Sequence, residues 1–160
     1  LHFLINTLWH TGARISEALD LRRENFHLNE KHPYIEIPNA KRGKKKKTWR
    51  ILPLADEDYV KEARLHLGGR GGRKRESVFT ISPNAAWKHL TGPIAKRTSV
   101  RPLSPHMFRH SFAVNAVLHL VPIGVLRVWM GHSSLEATSV YTHILSIDTF
   151  EFMKWIKYQH

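Results

Sequence analysis

Cysteine is missing from all 160 residues. Its absence excludes a disulfide framework, a thiolate zinc site and a cysteine nucleophile. Long apolar runs are missing too, and nothing approaches the roughly 20 residues that a membrane-spanning helix needs. The first residues carry no basic stretch of the kind that opens a secretory signal. A soluble, cytoplasmic chain with no membrane partner is the expectation. Acidic residues are scarce: 13 Asp and Glu face 25 Lys and Arg, a formal net charge of +12. On one small domain that is a strong positive field, and it points first to a polyanion, nucleic acid before an anionic membrane. With 42% hydrophobic and 24% charged residues, the chain has the composition of a packed core. Internal repeats and long low-complexity segments are also lacking.

The apolar pattern Leu1, Leu4, Ile5, Leu8, Trp9 predicts a helix that starts without an N-cap. Together with the lack of an initiator Met, this suggests a fragment whose preceding domain is missing. Thr11-Gly12 breaks the helix, and Ala13 to Leu21 restarts it with Arg14 and Glu17 three apart on one face. Two alternating stretches, Tyr34–Ile37 and Thr48–Leu52, predict a hairpin. Its loop, Lys41-Arg42-Gly43-Lys44-Lys45-Lys46-Lys47, carries six positive charges. Asp56 should cap a helix running to about Leu67. Residues 68–75 (GGRGGRKR) read as a flexible basic loop.

The second half is helical and well punctuated. Ser82-Pro83 and Ser104-Pro105 each set a capping hydroxyl before a proline suited to the first helical turn. Pro122 opens a helix to Met130, with Gly131 as its stop. Ser133-Ser134-Leu135-Glu136 reads as a capping box opening a helix that carries Tyr141. A last amphipathic stretch, Phe150 to Tyr158, exposes Phe150, Phe152, Met153, Trp155 and Ile156. Trp9, Trp87, Trp129 and the phenylalanines are expected in the core. The fold expected is mainly α with a small antiparallel β-hairpin (α+β), one domain over 1–160.

Several ionisable groups cluster at the starts of these helices: Arg14 with Glu17, His106 with Arg109, and His132. Helix N-termini offer free N–H groups and partial positive charge, so phosphate is a natural guest. Two arginines from separate segments can clamp a phosphodiester and stabilise its transition state, and a tyrosine on the following helix could be the nucleophile. Phosphoryl transfer needs positioning and charge neutralisation above all, so arginines can stand in for a metal.

Three strings, TGARISEALDL (Thr11–Leu21), SPHMFRHSFA (Ser104–Ala113) and MGHSSLEATSVYTH (Met130–His143), resemble the signature boxes of the tyrosine recombinases, the phage-integrase family. That family has an Arg followed three residues later by an acid, a His-x-x-Arg box, and a Gly-His followed nine residues after the His by Tyr. Arg14/Glu17, His106/Arg109 and His132/Tyr141 match in spacing and order, and the likeness runs from Leu1 to about Ile147. Phe108 stands where family members often have Leu.

The resemblance implies a tyrosine recombinase catalytic-domain fold and a site-specific recombinase that needs neither metal nor ATP. Arg14, Arg109 and His132 would hold the scissile phosphate while Tyr141 attacks, leaving a 3′-phosphotyrosine and a free 5′-hydroxyl. A hairpin lysine would protonate that oxygen. Lys41 is favoured because it ends the first strand, with Lys44 next and Lys45, Lys46 and Lys47 also in contention. His106 would assist proton transfer, and Glu17 would brace the first arginine and its neighbours. Double-stranded DNA is the implied partner, with Arg42, Lys44, Lys45, Lys46, Lys47, Arg70 and Arg73 on its backbone. Four protomers would act on two duplexes, the 148–160 helix packing on a neighbour. A prokaryotic host, phage or plasmid would supply the chain, which would work beside the nucleoid. A type IB topoisomerase-like enzyme and a DNA-binding module without chemistry are the alternatives.

Each of these residues also has a plain structural reading. Arg14–Glu17 alone is an ordinary helix-surface ion pair, and most tyrosines are half-buried with a bonded hydroxyl. His106 and His110 have a metal-binding spacing, but Met107 stands where a zinc protease motif has Glu, so no metal is expected. His2, His66 and His119 warrant only structural readings.

Overall fold

The computed structural model describes residues 1–39, 48–68, 73–99 and 103–141. The hairpin candidates Lys41, Arg42, Lys44, Lys45, Lys46 and Lys47, together with Arg70 and the 148–160 stretch, lie outside the described residues. The chain divides into two compact units, Leu1–Phe112 and Ala113–His160.

In the first unit, helix α1 (His2–Thr11) buries Phe3, Leu4, Thr7, Leu8 and Thr11. The two threonines enter the core satisfied, because their hydroxyls donate to the carbonyls of Phe3 and Thr7 one turn back. Thr7 also accepts from Tyr59 Oη at 3.0 Å. Burial pushes the Tyr59 phenol up, so this hydroxyl stays a neutral donor. Phe3 packs near Phe26, Tyr59 and Phe79, and His66 stacks on it at 4.3 Å. Gly12 ends α1 in the left-handed region (φ 59°), its N–H donating to Leu8 O.

Helix α2 spans Ile15–Leu19. It is shorter than the sequence pattern suggests, and Arg14 is its N-cap in extended backbone rather than a residue of its face. Three strands follow, β1 (Phe26–His27), β2 (Tyr34–Pro38) and β3 (Trp49–Pro53), antiparallel in the order β1-β2-β3. The hairpin is as read from the alternation, with Ile35 opposite Leu52 and Ile37 opposite Arg50. The short edge strand β1 was not expected. Arg50 and Leu52 face inward with Ile35 and Ile37, and Trp49 and Ile51 face out. Helix α3 (Glu57–Gly68) is capped by Asp56, whose carboxylate accepts the Tyr59 N–H at 2.7 Å. Helix α4 (Pro83–His89) is capped by Ser82, which accepts the Ala85 N–H. Helix α5 (Pro105–Leu118) begins after Ser104 as expected, and the unit boundary falls within it.

The second unit continues with α6 (Ile123–Met130) and α7 (Glu136–Ser139). Among the described residues, Ala113, Ala116, Val117, Leu126 and Met130 are its buried apolar side chains. Pro122 and Gly131 bound α6 as expected, Gly131 at φ 61°. Two readings need correction. Tyr141 lies just beyond α7, not on it, because Thr138, Ser139 and Val140 are weak helix formers and the helix ends at Ser139. Trp9 and Trp87 are about half exposed (51% and 45%): the inward stripe of α1 is Phe3, Leu4, Thr7 and Leu8, so Trp9 falls on the outer row with Leu1 and Ile5. Among the described residues no helix is long and apolar enough to cross a membrane.

Gly12 offers a direct check on this packing. A Cβ there would lie 2.5 Å from Phe112 Cδ1, and the positive φ disfavours any side chain. Gly12→Ala should therefore lose about 1–2 kcal/mol from the backbone alone, and more because the Phe112 ring must shift. Urea unfolding reads this as a lower midpoint with unchanged slope, and an unchanged midpoint would refute the close approach.

Candidate active site

The sequence 11–17 builds one half of the site. With Gly12 turned left-handed, the chain leaves α1 and enters α2 through Ala13 and Arg14, and Ala13 is fully buried. The α2 start is closed by its own acid: the Glu17 Oε2 accepts the Arg14 N–H at 2.9 Å, while Oε1 accepts Arg14 Nη1 at 2.8 Å. The same carboxylate takes a third donor from across the fold, Arg50 Nη2 at 2.7 Å from Oε2. The Glu17 side chain is wholly buried and that of Arg50 is 3% exposed, whereas Arg14 keeps 35% of its side chain open. Arg50 also donates to Asn39 Oδ1 at 2.9 Å and Pro38 O at 3.4 Å, so one guanidinium ties α2 to the root of the β2–β3 hairpin.

Burial alone would push the Glu17 carboxyl up. The hydrogen bond and charge of Arg50, joined by the backbone and side-chain donors of Arg14, outweigh it and hold the carboxyl below its ordinary value of 4.5. Glu17 is thus an anion inside the protein, sustained by two cations.

Arg109 reaches the same turn. It is buried on α5, and its Nη1 donates to the Gly12 carbonyl at 2.7 Å across 97 residues of chain. That bond sets the His-x-x-Arg segment against the turn two residues before Arg14. His106 lies one turn earlier on α5 and is exposed, as is His110. Arg73, the one described member of the basic loop candidates, is exposed.

The other half lies in the second unit. Gly131 reverses the chain so that the His132 N–H donates to Arg127 O at 3.1 Å. The His132 Nδ1 lies 2.8 Å from the hydroxyl of Thr138, a fully buried residue. Tyr141 is half-buried, and its N–H donates to the Thr138 carbonyl at 3.1 Å. The structure therefore joins Arg14, Glu17 and Arg109 around one turn, and His132 and Tyr141 around Thr138, each set within its own unit.

Arg50 and Thr138 escaped the sequence reading. Arg50 sits in a strand whose other face, Trp49 and Ile51, is the more apolar alternation, and only the pairing with Ile37 turns it inward. Its run with Leu52 and Leu54, both buried, was the available signal. Thr138 resembles any hydroxyl residue of a short helix until its partner is known.

The profile of the phage integrase family matches residues 1–146. A resolvase from Escherichia coli is 32% identical over 173 aligned positions, covering 91% of this chain and 66% of that protein. Tyrosine recombinase XerD of Chlorobaculum tepidum is 30% identical, covering 88% of this chain and 47% of that one. Among solved structures, the XerH site-specific recombinase in a post-cleavage complex with palindromic difH substrate superposes with a TM-score of 0.69. It is 22% identical and is matched over 96% of this chain and 44% of its own. The catalytic domain of bacteriophage HP1 integrase gives 0.65 at 24% identity, over 96% and 80%. The fold is that of a tyrosine recombinase catalytic domain. The chain belongs to the phage integrase family. It spans about two thirds of the resolvase's length and about half of XerD's.

The Glu17 cluster has a pH signature. Its depressed carboxyl stabilises the fold fully above the ordinary carboxylate range, and that stability is lost as pH falls through the folded value. Glu17→Gln should cost about 3–5 kcal/mol at neutral pH, since it leaves Arg50 buried beside a neutral amide. It should also flatten the acid limb of stability in urea titrations between pH 7 and about pH 3. An acid limb as steep as wild type would mean that Glu17 is not held ionised.

Proposed function

We propose that this chain is the strand-cleaving and strand-joining part of a site-specific DNA recombinase. Arg14 and Arg109, with His132, hold the scissile phosphate and neutralise the charge that grows on it. The Tyr141 oxygen attacks phosphorus, the bond to the 5′ oxygen breaks, and a 3′-phosphotyrosine forms. The leaving oxygen takes a proton from a hairpin lysine, Lys41 first and Lys44 next, and departs as a 5′-hydroxyl. His106 assists proton transfer at the tyrosine. Glu17, charged and immobile, braces Arg14, with Arg50 holding it from the other side. The phosphotyrosine keeps the energy of the phosphodiester, so attack by a second 5′-hydroxyl reverses the step with no metal and no ATP.

Double-stranded DNA is the substrate. The cations Arg42, Lys44, Lys45, Lys46, Lys47, Arg70 and Arg73 bear on its backbone, and four protomers work on two duplexes beside the bacterial nucleoid. The observation that carries the reading is the Arg109–Gly12 bond, which draws the His-x-x-Arg segment to the Arg14 turn. Two arginines gathered at one turn, one of them anchored by a buried carboxylate, suit a tetrahedral anion better than they suit packing.

Covalent trapping tests it. Incubated with nicked duplexes in EDTA and denatured in SDS, the chain should form a DNA adduct that Tyr141→Phe abolishes. Arg109→Lys should lower the yield by about a hundredfold or more, as loss of an oxyanion donor does. An adduct surviving in Tyr141→Phe would assign the nucleophile elsewhere. DNA binding with no adduct, also from a longer chain, would favour a binding module. Relaxation of supercoils without joining of two sites would favour a topoisomerase.

A further inference from the structure

The His132–Thr138 pair contains information that the proposed chemistry does not use. Thr138 is fully buried in α7, and among the described residues its hydroxyl has one hydrogen-bond partner, the Nδ1 of His132 at 2.8 Å. A hydroxyl has one proton to give, and a buried proton without an acceptor is costly. Were the imidazole proton on Nδ1, the hydroxyl would have to accept it and its own proton would be left in the interior with no acceptor. Were the proton on Nε2, the hydroxyl donates to the bare Nδ1 and both groups are satisfied.

We propose that Thr138 is a positioning residue for His132: its hydroxyl donates to Nδ1 and fixes the neutral ring in the Nε2–H form, so that Nε2 is the nitrogen that donates. The surrounding backbone fits the task. The His132 N–H is held by Arg127 O, and the Gly131 left-handed turn fixes the approach of the chain, so the hydroxyl has only the ring to orient. Thr138 also accepts the Tyr141 N–H through its carbonyl. One residue therefore sets the imidazole through its side chain and the tyrosine through its backbone, and a side-chain substitution separates the two. The consequence for strand cleavage rests on the reading of His132 as a phosphate donor, whereas the tautomer itself does not.

The experiment uses the 160-residue chain with histidine labelled at both ring nitrogens by ¹⁵N, and the His132 signals are assigned by their loss in His132→Asn. Wild type should show an unprotonated Nδ1 and a protonated Nε2. Thr138→Val keeps the shape and the backbone bond but removes the hydroxyl, and it should give mixed tautomers. Thr138→Ser should restore the wild-type pattern. In the trapping reaction Thr138→Val should slow adduct formation by about ten- to a hundredfold, the range for a lost orienting partner, and Thr138→Ser should recover it. A proton on Nδ1 in wild type overturns the proposal even if Thr138→Val does not fold, and so does an unchanged tautomer in Thr138→Val. A tautomer that shifts while cleavage does not would uphold the hold of Thr138 on the ring and overturn the role of His132 at the phosphate.

Discussion

One buried carboxylate organises the first unit. Glu17 accepts from Arg14 twice and from Arg50 once, and its side chain has no exposed surface. Burying an ion is costly unless its charge and lone pairs are met, and here two guanidiniums and a backbone N–H meet them. The geometry that follows is rigid. Arg14 cannot turn without breaking a bond to Glu17, Glu17 cannot move without exposing Arg50, and Arg50 is fixed to the hairpin root at Pro38 and Asn39. The ion cluster thus carries a structural cost, and under the proposed function its use is to hold still a guanidinium that keeps about a third of its surface open.

The turn between α1 and α2 carries the second constraint. A residue with a side chain fits poorly at Gly12, and its carbonyl is where Arg109 docks. In the second unit Gly131 does comparable work for His132, reversing the chain at the end of α6. Both segments place a charged or polar ring or guanidinium just past a left-handed glycine, where the backbone changes direction and helix-end groups lie near. Under the proposed function Arg14 and His132 meet phosphate from these helix stops, whereas Arg109 reaches it from within α5.

Local chemistry explains what was legible in the sequence. The Gly12 break, the Asp56, Ser82 and Gly131 caps, and the alternation of the β2–β3 pair are decided by a few neighbouring residues, and each stands in the structure where the pattern put it. Arg14, Glu17, His106, Arg109, His132 and Tyr141 could be picked out because their spacing repeats a known family's boxes. Arg50 could not, since its meaning lies in a contact 33 residues away and in the strand register that turns it inward. Trp9 and Trp87 misled because a large apolar side chain reads as core wherever it falls, although helix geometry puts Trp9 on the outer row. The length of α2 and α7 was overestimated for a related reason: apolar spacing continues past the point where caps and weak helix formers end the helix.

The central claim is that Glu17 and Arg50 serve the reaction through Arg14. A double-mutant cycle on first-turnover strand cleavage measures this most directly, comparing Arg14→Ala, Arg50→Met and the pair. If Arg50 acts by holding Arg14 in place, its loss should slow the wild-type chain by about ten- to a hundredfold and add almost nothing once Arg14 is gone. Fully additive losses would contradict the account, since Arg50 would then be acting by a route that does not pass through Arg14.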